Sequence, residues 1–364
     1  MPDKVVMLDQ QSADAVLQWG LEPGTWQLVG FVRSSVQGIS RPIIGIANER
    51  YVLRRQPDDL TENDTIFRHA FMQHLAAQGL PVPRLLQRPD GRTYSMLEDG
   101  IYELQAWMDG QQYLSDGPAS DERLEQAGAT LGQLHQASAT FQWRRHEWPP
   151  ERSSAAIAQA YIGLIASKAE DTSLSERVRG GLARIAHECT ERLDDAEEAL
   201  EQAPRPPELH LHGDYQAHNI AFTGANVSAV YDFDTAHWGR RIDELAYSLL
   251  YFAGVRWEDQ AGVTPPLVPE GMDVARSITY LRGYGNEAPP AEGEAALIGS
   301  ALTLAFPIIF ANGVTEDIMF PEDFEETSAE EGILERLQWG ETFWLWLDRY
   351  QESLANVWST AATM

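Results

Sequence analysis

The residues best suited to chemistry sit in one run of chain. His212-Gly213-Asp214 is followed by Asn219, five residues past the aspartate, and Asp232-Phe233-Asp234 comes about a dozen residues later. Between them, Ile220-Ala221-Phe222 and Val227 to Val230 are short apolar runs split by Thr223-Gly224-Ala225-Asn226. That pattern predicts a hairpin with a Gly- and Asn-rich turn. A loop before the hairpin then holds Asp214 and Asn219, and the end of the hairpin holds Asp232. Phosphoryl transfer from a nucleotide needs such a set. One carboxylate orients the attacking hydroxyl and takes its proton, while hard oxygen ligands hold a Mg²⁺ ion that neutralises charge on the β- and γ-phosphates. Asp214 suits the first role, and Asn219 and Asp232 suit the second. Asp234 is either a further metal or loop ligand or a solvated turn residue. A zinc site on His210, His212 and His218 is the weaker reading, because no cysteine or further carboxylate accompanies them at ligand spacing.

The pattern HGD-x4-N followed by D-F-D resembles the catalytic and metal-binding loops of the aminoglycoside phosphotransferase and choline kinase-like superfamily. Gly239 to Ala246 (GRRIDELA) is similar to the family segment in which an aspartate, here Asp243, braces the catalytic loop. The resemblance implies an α+β, bilobal protein kinase-like fold. A small antiparallel-sheet lobe over residues 1–105 would bind the nucleotide. A large, mainly helical lobe over 106–364 would carry the catalytic loop, the metal site and the acceptor site. It also implies ATP and Mg²⁺ as cofactors, with Asp214 as the catalytic base and Asn219 and Asp232 as the metal ligands.

Further nucleotide contacts follow from the same resemblance. Gly30 to Val36 looks like the family's phosphate flap, with the backbone N–H groups of Ser34 and Ser35 toward phosphate oxygens. Tyr51 to Arg55 is similar to the strand whose lysine contacts the α- and β-phosphates. Arg54 stands there instead, and a guanidinium can grip phosphate oxygens with its two-pronged fork. The family's glutamate on the next helix pairs with that lysine, but this sequence has Arg68 or His69 at the corresponding place. Tyr102 to Met108 matches the hinge strand, where backbone groups from Gln105 to Trp107 would meet an adenine edge.

Composition sets the remaining bounds. The chain has 364 residues, 43% hydrophobic, with 11 Trp, 12 Tyr and 12 Phe, which supplies a sizeable globular core. The net charge of −28 argues against nucleic acid or an anionic membrane as partner. Lys4 and Lys168 are the only lysines. The single cysteine, Cys189, excludes a disulfide framework and fits a reducing cytoplasm. The first eleven residues include Asp3 and Asp9 and lack the apolar core of a signal peptide, so a cytoplasmic location is expected. Ala295 to Asn312 is uncharged, contains Pro307, and is expected to be a buried helix. Oligomeric state is left open.

The elements that must position the site follow from periodicity and punctuation. Ser12 to Gly20 reads as a short amphipathic helix, and Thr61 to Gly79 as a longer one with Asn63 as its cap. Arg84 to Leu97 reads as a hairpin turning at Pro89-Asp90-Gly91. In Asp121 to Ser138 the AG-x2-LG-x-LH pattern reads as a helix whose small residues allow close packing, with His135 as a buried structural histidine. Ser153 to Ala203 gives two or three charged amphipathic helices. Leu245 to Gly254, Asp273 to Tyr284, Glu292 to Gly313 and Gly332 to Val357 are read as further helices, and Trp339, Phe343, Trp344 and Trp346 as core. For the acceptor, the absent lysine and the YVLRRQ strand look most like the sugar or N-acetylhexosamine kinase branch. The alternatives are an aminoglycoside or another cationic acceptor of the choline or homoserine kind, and a pseudokinase that binds nucleotide without turnover.

Overall fold

A computed structural model describes residues 8–33, 40–117, 119–143, 154–257, 272–312, 314 and 326–361. The Asp9 carboxylate accepts the Ser12 N–H at 2.8 Å and starts helix α1 (Gln10–Leu17). Strands β1 (Trp26–Arg33), β2 (Ser40–Ile46) and β3 (Glu49–Arg55) follow, then helix α2 (Glu62–Ala77), then β4 (Tyr94–Leu97) and β5 (Gly100–Ala106). They form one antiparallel sheet in the order β1-β2-β3-β5-β4.

Strand alternation sorts the residues of β3. Tyr51 and Leu53 pack with Ile44, Tyr102 and Leu104 against Ala15, Val16 and Trp19 of the α1 segment. Arg54 therefore falls on the opposite face of the sheet, where α2 brings Arg68 and His69. Helix α2 starts two residues earlier than Asn63 would place it. Thr61 is the N-cap, and its side chain and that of Asp64 each accept the other's backbone N–H. A reciprocal cap satisfies two orphan donors where Asn63 would satisfy one. Nor does 84–97 form a closed hairpin. A turn does form there, with the Arg88 N–H donating to the Arg92 carbonyl at 2.7 Å, but the two arms share one edge of β5. Leu86 donates to Leu104 and receives no strand partner from β4, which pairs with β5 further along. Pro81 and Pro83 lack the N–H that a longer ladder needs.

The remaining elements are β6 (Gln111–Gln112), α3 (Ser120–Ser138), α4 (Ser154–Ala169), α5 (Glu176–Gln202), β7 (Glu208–Leu211), β8 (Ile220–Thr223), β9 (Asn226–Val230), β10 (His237–Arg240), α6 (Arg241–Ala253), α7 (Val274–Glu287), α8 (Ile298–Asn312) and α9 (Glu326–Ala361). The expected hairpin is β8–β9, with β6 paired to β8, while β7 pairs antiparallel with β10. Helices α3 and α7 approach so closely that a Cβ on Gly128 would stand 2.2 Å from the Tyr280 carbonyl oxygen. Only glycine fits there. Glu294–Asn312 is long and apolar enough to cross a membrane by length and composition, and it is mostly buried inside the protein. Phe306 of α8 stacks on Phe343 of α9 at 4.4 Å between ring centres, and Trp339, Trp344 and Trp346 are buried with it, so this aromatic stripe is core. Cys189 is buried on α5.

The chain divides into two compact units. The first runs to Asp109 and includes Ala229–Asp234 and a short stretch from Gln142. The second holds the rest. The first unit thus extends past residue 105 and also claims the segment that carries Asp232.

Candidate active site

Strand β7 ends at Leu211, and the chain turns sharply before β8. Gly213 makes the turn with φ 86°, and a Cβ there would lie 2.2 Å from the Thr235 carbonyl oxygen. An L side chain is excluded on both counts. Asp214 follows, half-buried, and three side chains fix its carboxylate. Asn219 Nδ2 donates to Oδ2 at 2.6 Å, while Gln216 Nε2 and the Tyr247 hydroxyl donate to Oδ1 at 3.0 and 2.5 Å. Asn219 Nδ2 also donates to the Asp214 main-chain oxygen at 2.8 Å. The buried His212 accepts the Asp214 N–H on Nδ1 at 3.2 Å. Its place is structural.

The brace beneath this loop is Glu244, next to the aspartate the family resemblance points to. Glu244 Oε1 accepts the Gly213 N–H at 2.5 Å. Oε2 accepts the His212 N–H at 3.2 Å and lies 2.8 Å from His135 Nε2. Burial pushes the Glu244 carboxyl up, but the His135 hydrogen bond and the loop N–H groups outweigh it and hold the group below its ordinary value. Asp243 instead accepts from Arg240 Nε at 2.8 Å and from the Ser154 hydroxyl at 2.5 Å. Adjacent positions on a helix point about 100° apart, so only one of the two acids can face the loop. His135 is buried and structural, with Nδ1 against the Tyr284 hydroxyl at 2.8 Å. It acts on the loop through Glu244.

The first unit holds a second polar cluster. Glu103 of β5 is fully buried and sits opposite Arg54 in the β3–β5 register. Glu103 Oε1 accepts from Arg54 Nη1 at 3.0 Å and from Gln105 Nε2 at 2.6 Å. Oε2 accepts from Gln56 at 2.9 Å and Arg68 Nη2 at 3.1 Å, with His69 Nε2 at 2.7 Å. Desolvation opposes the charge on Glu103, yet Arg68, His69 and Arg54 hold its carboxyl well below the usual range. The Arg54 Nη2 donates to Asp232 Oδ1 at 3.0 Å and Asp234 Oδ2 at 2.8 Å, and Arg68 Nη1 donates to Asp234 Oδ1. Burial and the neighbouring Asp232 push the Asp234 carboxyl up against the downward pull of the two arginines. Asp234 is therefore an ion-paired loop residue and not a solvated turn residue. Asp232 itself adopts a left-handed φ of 61°, a conformation that is uncommon for non-glycine residues.

Several sequence expectations change here. The sequence reading puts Arg54 on phosphate oxygens. In the structure both of its terminal nitrogens go to carboxylates, and burial of the guanidinium is outweighed by Asp234, Asp232 and Glu103, so it is held firmly as a cation. The helix offers no acid to Arg54, as Arg68 and His69 at the glutamate's place imply; the acid that pairs Arg54 is Glu103 of β5, and the helix brings the base Arg68 to the same carboxylate. Gln105 is buried, with its amide on Glu103. The Trp107 N–H donates to the Arg50 carbonyl at 2.8 Å, which commits it within the sheet. Ser34 and Ser35 lie outside the described residues. Sequence reasoning also passed over Arg41 on β2. It is half-buried beside Arg54, Asp232, Asp234 and Glu103, and burial followed by the charge of Arg54 pushes its guanidinium down. Glu103 had a visible signal, a charged residue in the middle of a mostly apolar strand. Tyr247 had none.

Among the described residues, no three His, Cys, Asp or Glu side chains converge as a metal site. His210 packs against Phe141 and Trp238, and His218 packs against Trp257. The residues suited to Mg²⁺ are oxygen donors of the kind that ion takes: the Asn219 amide oxygen, whose nitrogen is on Asp214, and the Asp232 carboxylate. The set fits the ion in chemical type.

A model of the phosphotransferase enzyme family matches residues 43–264. The chain is 25% identical over 284 residues to a homoserine kinase of Rhizobium rhizogenes, which covers 74% of this chain and 78% of that protein. Two solved structures resemble it at low identity. A microcompartment-associated aminopropanol kinase superposes with a TM-score of 0.63 at 14% identity, covering 95% of this chain and 99% of that one. The amicoumacin kinase hAmiN, in complex with AMP-PNP, Ca²⁺ and Ami, gives a TM-score of 0.59 at 14% identity, covering 96% and 94%. These likenesses show the fold: the sheet-bearing first unit and the helical second unit are those of a kinase-like protein.

Proposed function

The chain belongs to the phosphotransferase enzyme family and is a small-molecule kinase, and from that premise we propose that it transfers the γ-phosphoryl group of ATP to a hydroxyl of a small amino-bearing acceptor. Asp214 is the base. It orients the acceptor hydroxyl and takes its proton as the acceptor oxygen bonds to the γ-phosphorus. The bond from that phosphorus to the bridging oxygen breaks, and the electron pair leaves on ADP. Asn219 and Asp232 would hold Mg²⁺, which when bound neutralises charge on the β- and γ-phosphates. Arg54 positions Asp232 and does not itself grip phosphate. Arg41, half-buried beside that cluster, is the cation proposed to meet phosphate oxygens in its place.

The observation that carries this reading is the Asp214 carboxylate, pinned by Asn219, Gln216 and Tyr247 on a loop that Glu244 holds from beneath. The acceptor class is supported by the relatives, which are named for homoserine and aminopropanol. We prefer that class, the alternative in the sequence reading, to a sugar acceptor. The test is ADP release over a panel of amino alcohols, hydroxy amino acids, aminoglycosides and sugars, with Asp214→Asn as control. The expected result is turnover of an amino-bearing acceptor that falls at least about 10³-fold in the variant. Turnover that survives Asp214→Asn refutes the base. Nucleotide binding with silence across the panel would replace the kinase reading with the pseudokinase one.

A further inference from the structure

The residues that follow Asp232 are held from one helix. Helix α2 carries Arg68 and Phe71 three residues apart, on one face, and both reach this segment. Phe71 packs edge-on against Phe233, 6.0 Å between ring centres, with both rings buried. Arg68 Nη1 donates to Asp234 Oδ1. The other oxygen of Asp234 accepts from Arg54 Nη2 at 2.8 Å, and the same nitrogen donates to Asp232 Oδ1 at 3.0 Å. Each oxygen of Asp234 thus faces a guanidinium. Arg68 is itself fixed, being buried with its Nη2 on Glu103 Oε2 at 3.1 Å. On the other side of Asp232, the Val230 N–H donates to the Pro81 carbonyl at 2.8 Å and the Tyr231 hydroxyl to the Met108 carbonyl at 2.9 Å. All of these contacts lie within the first unit.

Between these holds sits Asp232, with its left-handed φ of 61°. A non-glycine residue keeps that conformation only where its surroundings over-determine it. We propose that Arg68 is a positioning residue for the metal. Through Asp234, and with Phe71 beside it, Arg68 fixes the turn at which Asp232 presents its carboxylate, and Asp234 is not a ligand of the ion. This inference rests on Asp232 being a metal ligand, as proposed above. It reverses the sign that charge alone dictates. A cation beside a metal site repels the metal, so deleting Arg68 for its charge alone should tighten metal binding. Deleting a group that orients a ligand weakens binding instead, by about 10- to 100-fold.

The test is calorimetric titration of the full-length protein with ADP, in excess Mn²⁺ and again without divalent ion, with thermal unfolding of each variant. The ratio of the two affinities reads the metal's contribution, and any change in nucleotide binding alone cancels from it. Arg68→Met and Asp234→Asn should each lower that ratio by about 10-fold. The double variant should be little lower than either single one, because the two side chains act as a unit. Arg68→Lys keeps the charge but loses the fork that spans Asp234 and Glu103, and should lower the ratio a few-fold. An unchanged or raised ratio in Arg68→Met overturns the inference, and a lowered Tm would then make Arg68 only a tie between α2 and the sheet. Should Arg68→Met not fold, Arg68→Lys decides. A wild-type ratio there overturns the inference, and a ratio lowered in Asp234→Asn alone would make Asp234 a ligand of the metal. Asp232→Asn checks the premise. If it keeps the wild-type ratio, or if Mn²⁺ gives the wild type no gain, the metal reading proposed above fails and this inference falls with it.

Discussion

Replacing Glu244 with Gln tests how the catalytic loop is held. The two oxygens of Glu244 receive three donors: Gly213 N–H at 2.5 Å, His212 N–H at 3.2 Å and His135 at 2.8 Å. Glutamine offers one oxygen and one amide NH₂. Whichever way it settles, the NH₂ faces at least one of the two backbone donors. A charge-assisted bond is worth about 1.5–3 kcal/mol, and an orphaned buried donor costs about 1–3 kcal/mol. We expect a loss of about 3 kcal/mol, which in a unit of this size lowers Tm by roughly 10 °C. Catalysis should suffer beyond that. A shift of the loop by about 1 Å moves Asp214 out of reach of the reacting hydroxyl and costs on the order of 10² in kcat, with KM for ATP little affected. Asp243→Asn is the control. It breaks contacts to Arg240 and Ser154, a short-range ion pair worth about 1 kcal/mol or less, and should leave kcat within a few-fold. Glu244→Asp should recover part of the loss. An Asp243→Asn enzyme more impaired in kcat than Glu244→Gln would refute the assignment of the brace.

Two further outcomes follow from the buried polar groups. Glu103→Gln removes the charge that faces Arg54, Arg68 and His69, so by the usual cost of breaking a buried pair it should destabilise the protein by about 3–5 kcal/mol in urea unfolding; a change below about 1 kcal/mol would show that the cluster carries no structural weight. His210 is buried and its imidazole is pushed down to about 4 by desolvation. Below its ordinary value of 6.5 the unfolded chain takes up a proton that the folded chain refuses. Stability should therefore fall as pH drops from 6.5 to about 4, by up to about 3 kcal/mol from this group, and a His210→Gln variant should show a flatter profile over that window. Equal slopes for the two proteins would remove His210 as the cause.

Much of the site was legible because its contacts are short in sequence. Asp214 and Asn219 bond across five residues, and the turn residue Gly213 sits beside them. The apolar runs around Gly224 could form little but a hairpin. The small residues of α3 announced a close neighbour, and Gly128 has one in Tyr280. The aromatic stripe of α9 was readable as core from its spacing. The caps were less legible: Thr61 and Asn63 are both good capping residues, and the reciprocal bond with Asp64 chose between them.

By itself, then, the sequence determined the catalytic motif, the elements around it and the class of chemistry, since each is written in neighbours a few residues apart. Tertiary structure alone decided which charges face one another. Whether Asp243 or Glu244 meets the loop depends on the rotation of α6, which packing against other helices sets. Arg54 points to Asp232 and Asp234, 178 and 180 residues away, because Glu103 stands opposite it on the next strand and Arg68 closes the cluster from α2. Arg336 is a surface-type residue by composition and a buried cation only because α9 lies against α8. Such pairings join residues far apart in the chain, and no local pattern encodes the partner of a charge whose partner arrives by folding.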